Sequence, residues 1–290
     1  MLKKMAMMVV FTSLLLMVAG CGGGSSSSPS STQYKPNGTD IMENSVDWGM
    51  LFLYDNTVNV PYDYLGVLNN VWNKVHAASG PKSQKVFLET INGKQACGWQ
   101  WEWAMSNDVV AYPELISGAK PWDTGAPFDR GGKFPFLAGT KDLTANFDIR
   151  LEAEGKYNMA FTMWAVSNPD TGAQSITHEV MIWNYNNGCT PAGTKRGTVT
   201  VDGVDFDVYV NENQHDNSGG SSAVWKYVAF VAKSPVLHGP FHISQFIDYM
   251  INQSIMSGTD HICSLELGNE IVGGKGIAEI QNFSINLTDR

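Results

Sequence analysis

The sequence predicts an all-β protein, a sandwich or jelly roll of two antiparallel sheets with one α-helix packed beside it. Three observations carry this. Most apolar runs alternate with period two. Clusters of Gly, Asn, Pro and Ser separate those runs. Only one stretch has helical period.

The chain begins with a segment that does not belong to the fold. Lys3 and Lys4 precede an apolar run, Met5 to Val18, and Val18-Ala19-Gly20-Cys21 closes it. The run is too short to span a bilayer, which needs about 20 residues, and reads as a signal peptide over residues 1–20. Small residues before Cys21 resemble a bacterial lipobox, in which the cysteine becomes the lipidated first residue. The competing reading is an ordinary secretory signal with an incidental cysteine. Residues 21–40 then hold the lipidated Cys21 and a Gly/Ser-rich tether whose core, Gly22 to Thr32, has a random-coil reach on the order of 20 Å. Gly22 rather than Asp follows the cysteine, which by the same resemblance favours an outer-membrane or cell-surface location, or secretion.

Residues 41–290 suit one large all-β domain, since no second linker or internal repeat interrupts them; a monomer is expected. The chain carries 19 basic and 28 acidic residues, and the predicted leader removes only two lysines. An acidic protein gains nothing from the phosphate attraction that drives nucleic-acid binding, so a neutral polymer is the better partner. Its 9 tryptophans and 10 tyrosines agree, because flat aromatic faces cover the apolar faces of pyranose rings. Beyond Cys21, the cysteines Cys97, Cys189 and Cys263 leave three possible single disulfides and no paired C-x-x-C motif. The six histidines show no metal or Ser-His-Asp spacing. No metal or cofactor is expected.

Phe147 to Leu151 and Tyr157 to Val166 read as strands. So do Glu179 to Tyr185, Trp225 to Val231 and Ile280 to Leu287. Gly197 to Val210 reads as a hairpin about Asp202-Gly203. The helix is expected from a Ser244 cap to Gly258, with Phe246, Ile247, Met250, Ile251 and Ile255 as its apolar stripe.

Parity singles out two acids. In the first strand Glu179, Met181, Trp183 and Tyr185 share a face opposite Val180 and Ile182; His178, opposite Glu179, reads as structural. Around Glu266-Leu267-Gly268-Asn269-Glu270-Ile271, Glu266, Gly268 and Glu270 share a face opposite Leu265, Leu267 and Ile271. The aliphatic faces form the inter-sheet core, and the others line an open groove. A carboxylate on such a strand is costly unless it has a partner or a task. Gly268 leaves space for a ligand beside Glu270.

These residues resemble glycoside hydrolase family 12. Glu179-Val180-Met181-Ile182-Trp183 is similar to its first catalytic signature. Gly268-Asn269-Glu270, with Gly273-Gly274-Lys275-Gly276 and the Ile280-Gln281-Asn282-Phe283-Ser284 strand, is similar to its second. Asn69-Asn70-Val71-Trp72, Trp101-Glu102-Trp103, Ala111-Tyr112-Pro113-Glu114 and the Trp225 to Ala232 strand match further segments in order, from about Asp47 onward. The resemblance implies a jelly roll with a concave substrate cleft and a retaining endo-β-1,4-glucanase, with Glu179 as nucleophile and Glu270 as general acid/base. Such chemistry needs carboxyl groups about 5–5.5 Å apart. The resemblance also implies that Trp72 and Trp183 stack on sugar and that Asn70 bonds a glucose hydroxyl. Met181 then shapes the site, Glu266 supports it, and Trp48, Trp101 and Trp103 line the groove. Thr162 stands where the family often has an Asp close to the nucleophile, offering a hydroxyl without charge. A xyloglucan- or mixed-linkage-glucan-specific hydrolase, a xylanase of the related jelly-roll family 11, and a non-catalytic glycan-binding lipoprotein are the alternatives.

Overall fold

The structure, a computed structural model, describes residues 42–44, 50–55, 60–123, 133–216 and 222–290. Sixteen strands make up the framework among these described residues. They are β1 (Met42–Asn44), β2 (Met50–Asp55), β3 (Val60–Leu68), β4 (Lys82–Ile91), β5 (Lys94–Trp103), β6 (Glu114–Gly118), β7 (Phe136–Leu137) and β8 (Lys141–Val166). There follow β9 (Ile176–Asn187), β10 (Thr194–Val201), β11 (Val204–His215), β12 (Val224–Ala232), β13 (Phe241–His242), β14 (His261–Ile262), β15 (Ser264–Gly268) and β16 (Ile271–Asp289).

One long strand organises both layers. The sequence predicts separate strands over 147–151 and 157–166, but β8 is continuous from Lys141 to Val166, with Gly155 at φ 110° inside it. Its first part pairs with β16, and β16 with β5, β5 with β4 and β4 with β1; these form the outer layer. Its last part pairs with β15 on one side and β9 on the other. From there the inner layer extends through β6, β3 and β2 on one flank and through β12, β11 and β10 on the other. One core lies between the layers. Leu143, Phe147, Trp99 and Ile280 supply it from one side, and Phe161, Val180, Ile182, Leu265 and Phe230 from the other. Phe147 meets Phe161 edge-to-face at 5.0 Å.

The pairing is antiparallel except between β9 and β12, which run parallel. The β10–β11 hairpin intervenes between them, so β12 returns to the free edge of β9 in the same direction. That hairpin turns at Asp202 (φ 51°) and Gly203 (φ 78°), both left-handed as its two-residue turn requires.

Among the described residues the one α-helix, α1, spans Ile243–Asn252 and buries Phe246, Ile247 and Met250. Its start differs from expectation. His242 is the N-cap, and its backbone N–H is taken by Asp202 Oδ2 at 2.9 Å, while Ser244 Oγ turns to Leu143 O at 3.5 Å. A tertiary partner therefore anchors the start of the helix, where His242 makes no side-chain cap bond. The helix stops before Gly258 because Ser254 turns left-handed (φ 56°), bringing Ile255 N–H back to Met250 O at 2.8 Å.

Cys97, Cys189 and Cys263 are all free thiols, so none of the three possible disulfides forms among them. Glycines matter most where backbones touch. Gly118 ends β6 at φ 87°, and a Cβ there would stand 2.3 Å from Cys263 O. Gly203 shares the left-handed backbone but would meet nothing. We therefore expect Gly203→Ala to cost about 1 kcal/mol and Gly118→Ala at least about 2 kcal/mol more, measured as the difference in urea unfolding free energy.

Candidate active site

The concave face of the inner layer carries a cleft of about 650 Å³. Its floor follows from register on β8. Glu179 lies opposite Trp164, Met181 opposite Thr162 and Trp183 opposite Ala160. From the other flank Glu266 lies opposite Thr162 and Gly268 opposite Ala160. The predicted parity places Glu179, Met181 and Trp183 together on the cleft side, with Val180 and Ile182 in the core. Tyr185 departs from it. A bulge between Met159 and Ala160 opposes the extra residue Asn184, so the next side chain flips; Tyr185 packs on the core and stacks on Tyr157 at 5.9 Å.

Glu179 is half-buried at the mouth of this floor. Trp225 on β12 donates its indole N–H to Glu179 Oε2 at 2.8 Å. Desolvation pushes the Glu179 carboxyl up to about 7; the Trp225 bond opposes this, Glu266 and Asp216 add to it, and Lys120 opposes it. Tyr227 and Glu270 also face the same cleft.

Glu270 sits not on a strand but in the break between β15 and β16, and Asn158 of β8 grips it three ways. Asn158 Oδ1 accepts from Glu270 N–H at 2.9 Å, Asn158 N–H donates to Glu270 O at 3.1 Å, and Asn158 Nδ2 donates to the Glu270 carboxylate. The neighbouring Asn269 locks the same turn, donating to Asn158 O and accepting from Trp99 Nε1 at 2.6 Å. Desolvation, then the negative charge of Glu179, pushes Glu270 up to about 8, partly offset by the Asn158 bond. The space beside Gly268 is not open to ligand as expected. A Cβ there would stand 2.6 Å from Pro113 O and 2.9 Å from the Tyr112 ring, so Gly268 admits Tyr112.

Thr162 lines the cleft but its hydroxyl is committed. The Tyr112 phenol donates to Ala160 O at 3.0 Å, so at 2.8 Å Thr162 Oγ1 is the donor to the phenol oxygen. Glu266 is fully buried, with Lys120 Nζ at 2.7 Å and Ser264 Oγ at 3.0 Å. The same lysine reaches Glu114 at 3.1 Å, and Glu114 Oε1 accepts from Asn70 Nδ2 at 3.0 Å. Burial pulls the Lys120 pKa down, but the two carboxylates outweigh it and hold the ammonium charged. Asn70 Oδ1 accepts the Trp72 backbone N–H at 3.3 Å, and the Trp72 indole stands exposed at the cleft.

Trp183 lines the cleft as a floor residue, 2% exposed. Trp101 and Trp103 are not in the groove. On β5, an outer-layer strand, their face points into the core, where Trp101 meets Tyr157 and Trp103 Nε1 donates to Gln84 at 3.1 Å. Trp48 lies outside the described residues. His178 is structural, its ring bound to Ile255 O at 2.9 Å. Sequence reasoning assigned no role to Asn158, Glu114, Lys120, Trp122, Trp164 or Trp225. Their partners lie up to 146 positions away, and no local pattern marks them. Among the described residues no cluster could hold a metal.

A two-layer β fold with a carboxyl pair in a concave cleft defines a glycoside hydrolase. The chain belongs to glycosyl hydrolase family 12, whose model matches residues 63–288. It is 31% identical over 225 residues to Endoglucanase S of Pectobacterium parmentieri, covering 76% of this chain and 81% of that protein. It is 25% identical over 235 residues to a xyloglucan-specific endo-beta-1,4-glucanase of Phytophthora nicotianae, covering 75% and 84%. A family 12 xyloglucanase from Bacillus licheniformis superimposes with a TM-score of 0.70 at 24% identity, over 86% of this chain and 100% of that one.

Two stability effects follow. Lys120→Met leaves Glu114 and Glu266 buried without their cation and is expected to cost about 3–5 kcal/mol in urea unfolding. Glu270 has a folded pKa above its unfolded value, so it favours the fold below about pH 4.5 and loses that contribution as pH rises towards 8. Glu270→Gln therefore raises the melting temperature at pH 8, with a gain that shrinks towards pH 5. The open edge of the side chain keeps the gain to about 1–2 kcal/mol.

Proposed function

We propose that this protein is a retaining endo-β-1,4-glucanase in which Glu179 is the nucleophile and Glu270 the general acid/base. The observation that carries the role assignment is the unequal treatment of the two carboxyls. The Trp225 indole N–H favours the ionised form of Glu179, whereas desolvation and the charge of Glu179 favour the protonated form of Glu270. Glu179 attacks the anomeric carbon as the glycosidic C–O bond breaks, and Glu270 gives its proton to the departing oxygen. Glu270, now a carboxylate, takes a proton from water. The water oxygen attacks the same carbon and releases Glu179.

Endo action follows from the reach of the cleft. Its lining runs from Leu68, Asn70 and Trp72 beyond β3 to Gln214, His215 and Asp216 at β11, six strand spacings or on the order of 30 Å across the inner layer. A polymer can pass through such a groove. Unbranched β-1,4-glucan is the leading substrate, and xyloglucan or mixed-linkage glucan are the alternatives, since the relatives carry both endoglucanase and xyloglucan-specific names. The pinned Glu270 has no purpose in a non-catalytic glycan binder. We further propose a monomer tethered by a lipid on Cys21 at the cell envelope; Cys21→Ser should then move the protein from the membrane to the soluble fraction.

Reducing-sugar release from carboxymethyl cellulose, barley β-glucan and xyloglucan tests the function. Wild type should act, and Glu179→Ala and Glu270→Ala should lose at least about a thousandfold in kcat; undiminished turnover in both variants removes the assignment. For wild type, kcat/KM should rise as Glu179 ionises near pH 7 and fall as Glu270 deprotonates near pH 8. Trp225→Phe deletes the bond that lowers the Glu179 pKa, so its acid limb should move to higher pH.

A further inference from the structure

Five large apolar side chains stand exposed among the described residues, and two of them, Trp72 and Trp122, line the cleft. Trp72 is the expected sugar platform; Trp122 has no role so far. A single exposed apolar side chain needs no explanation, but Trp122 is both 44% exposed and held still. Two residues earlier, Lys120 is clamped between Glu114 and Glu266. A tight turn follows, in which Asp123 N–H donates to Lys120 O at 3.0 Å and Asp123 Oδ2 accepts from Lys120 N–H at 3.2 Å. Pro121 O lies 2.5 Å from where a Cβ on Gly172 would be, so the Pro169–Ser175 segment packs directly on this turn. The Trp122 ring meets Trp164 edge-to-face at 4.7 Å, with Lys120 Nζ 5.6 Å from its centre.

Trp164 in turn meets Trp225 edge-to-face at 5.3 Å, and Trp225 donates to Glu179. The three indoles form one continuous wall that ends on the reacting carboxylate. An equatorially substituted pyranose presents C–H-rich faces that suit such a ring. A ring fixed before binding loses little entropy when a sugar covers it.

We propose that Trp122 is a sugar-binding residue, whose exposed indole face stacks on a pyranose ring of the glucan along the Glu179 wall of the cleft. This rests on the glucanase reading above, and its test has one arm that needs turnover and one that does not. In the first, KM and kcat on barley β-glucan are compared for wild type, Trp122→Ala and Trp122→Phe. Trp122→Ala should raise KM about fivefold to tenfold with kcat within about twofold, and Trp122→Phe should recover most of the loss. The acid limb of the pH profile should not move. In the second, Glu179→Ala and Glu179→Ala/Trp122→Ala are run in native gels containing the same glucan, and only the first should be retarded. Active wild type with unchanged KM in folded Trp122→Ala, or equal retardation of the two inactive proteins, would overturn the proposal. Retardation that depends on Trp122 without turnover by wild type would uphold it while removing the glucanase reading.

Discussion

The grip of Asn158 on the β15–β16 turn is the interaction on which the rest depends. At Asn269-Glu270 the chain leaves the inner layer and enters the outer one, and β8 belongs to both. Asn158 uses its side-chain oxygen, its side-chain nitrogen and its backbone N–H on Glu270, and its carbonyl on Asn269. Trp99 closes the arrangement from the core through Asn269. The crossover that joins the layers is thus the element that presents the second carboxyl. Six residues further along β8, Trp164 sets the position of Glu179 through strand register. A single strand fixes both acids, which suits chemistry sensitive to their separation.

Electrostatics distinguishes the two carboxyls. Both carboxyls are desolvated, yet their remaining neighbours differ: an indole donor with the charges of Glu266, Lys120 and Asp216 for Glu179, and the Glu179 charge with an amide donor for Glu270. Beneath them Lys120 neutralises Glu114 and Glu266, and Glu114 passes that order to Asn70 and so to Trp72. One buried cation therefore connects two cleft-lining aromatics, Trp72 in the loop after β3 and Trp122 in the turn after β6. Half-buried carboxylates with raised pKa values weaken the fold near neutral pH, a cost retained where the reaction needs it.

The fold and the cleft-side position of Glu179 were legible in sequence because both depend on period-two alternation, which survives in a single chain; Glu270 lies in the break between β15 and β16, where alternation does not apply. Alternation put Glu179, Met181 and Trp183 on one face and Val180 and Ile182 on the other, as observed. It failed at Tyr185, where a bulge adds one residue without any mark in composition. It failed for Trp101 and Trp103 for another reason. Their shared face was legible, but not the layer to which β5 belongs, and an outer-layer strand turns that face to the core. Gly268 was read as a gap for ligand, whereas the neighbouring chain fills it with Tyr112. Lys120, Asn158 and Trp225 act through partners distant in sequence, and only the three-dimensional pairing reveals them.

The two carboxyls are proposed to have different roles set by their environments. The most direct measurement is covalent trapping with a 2-deoxy-2-fluoro β-cellobioside bearing a good leaving group, followed by peptide mass mapping. The fluorine slows breakdown of the glycosyl-enzyme, so the ester accumulates on the nucleophile. One fluorosugar is expected on the peptide containing Glu179 and none on that containing Glu270. A label on Glu270, or turnover of the fluorosugar with no protein-bound species, would contradict it.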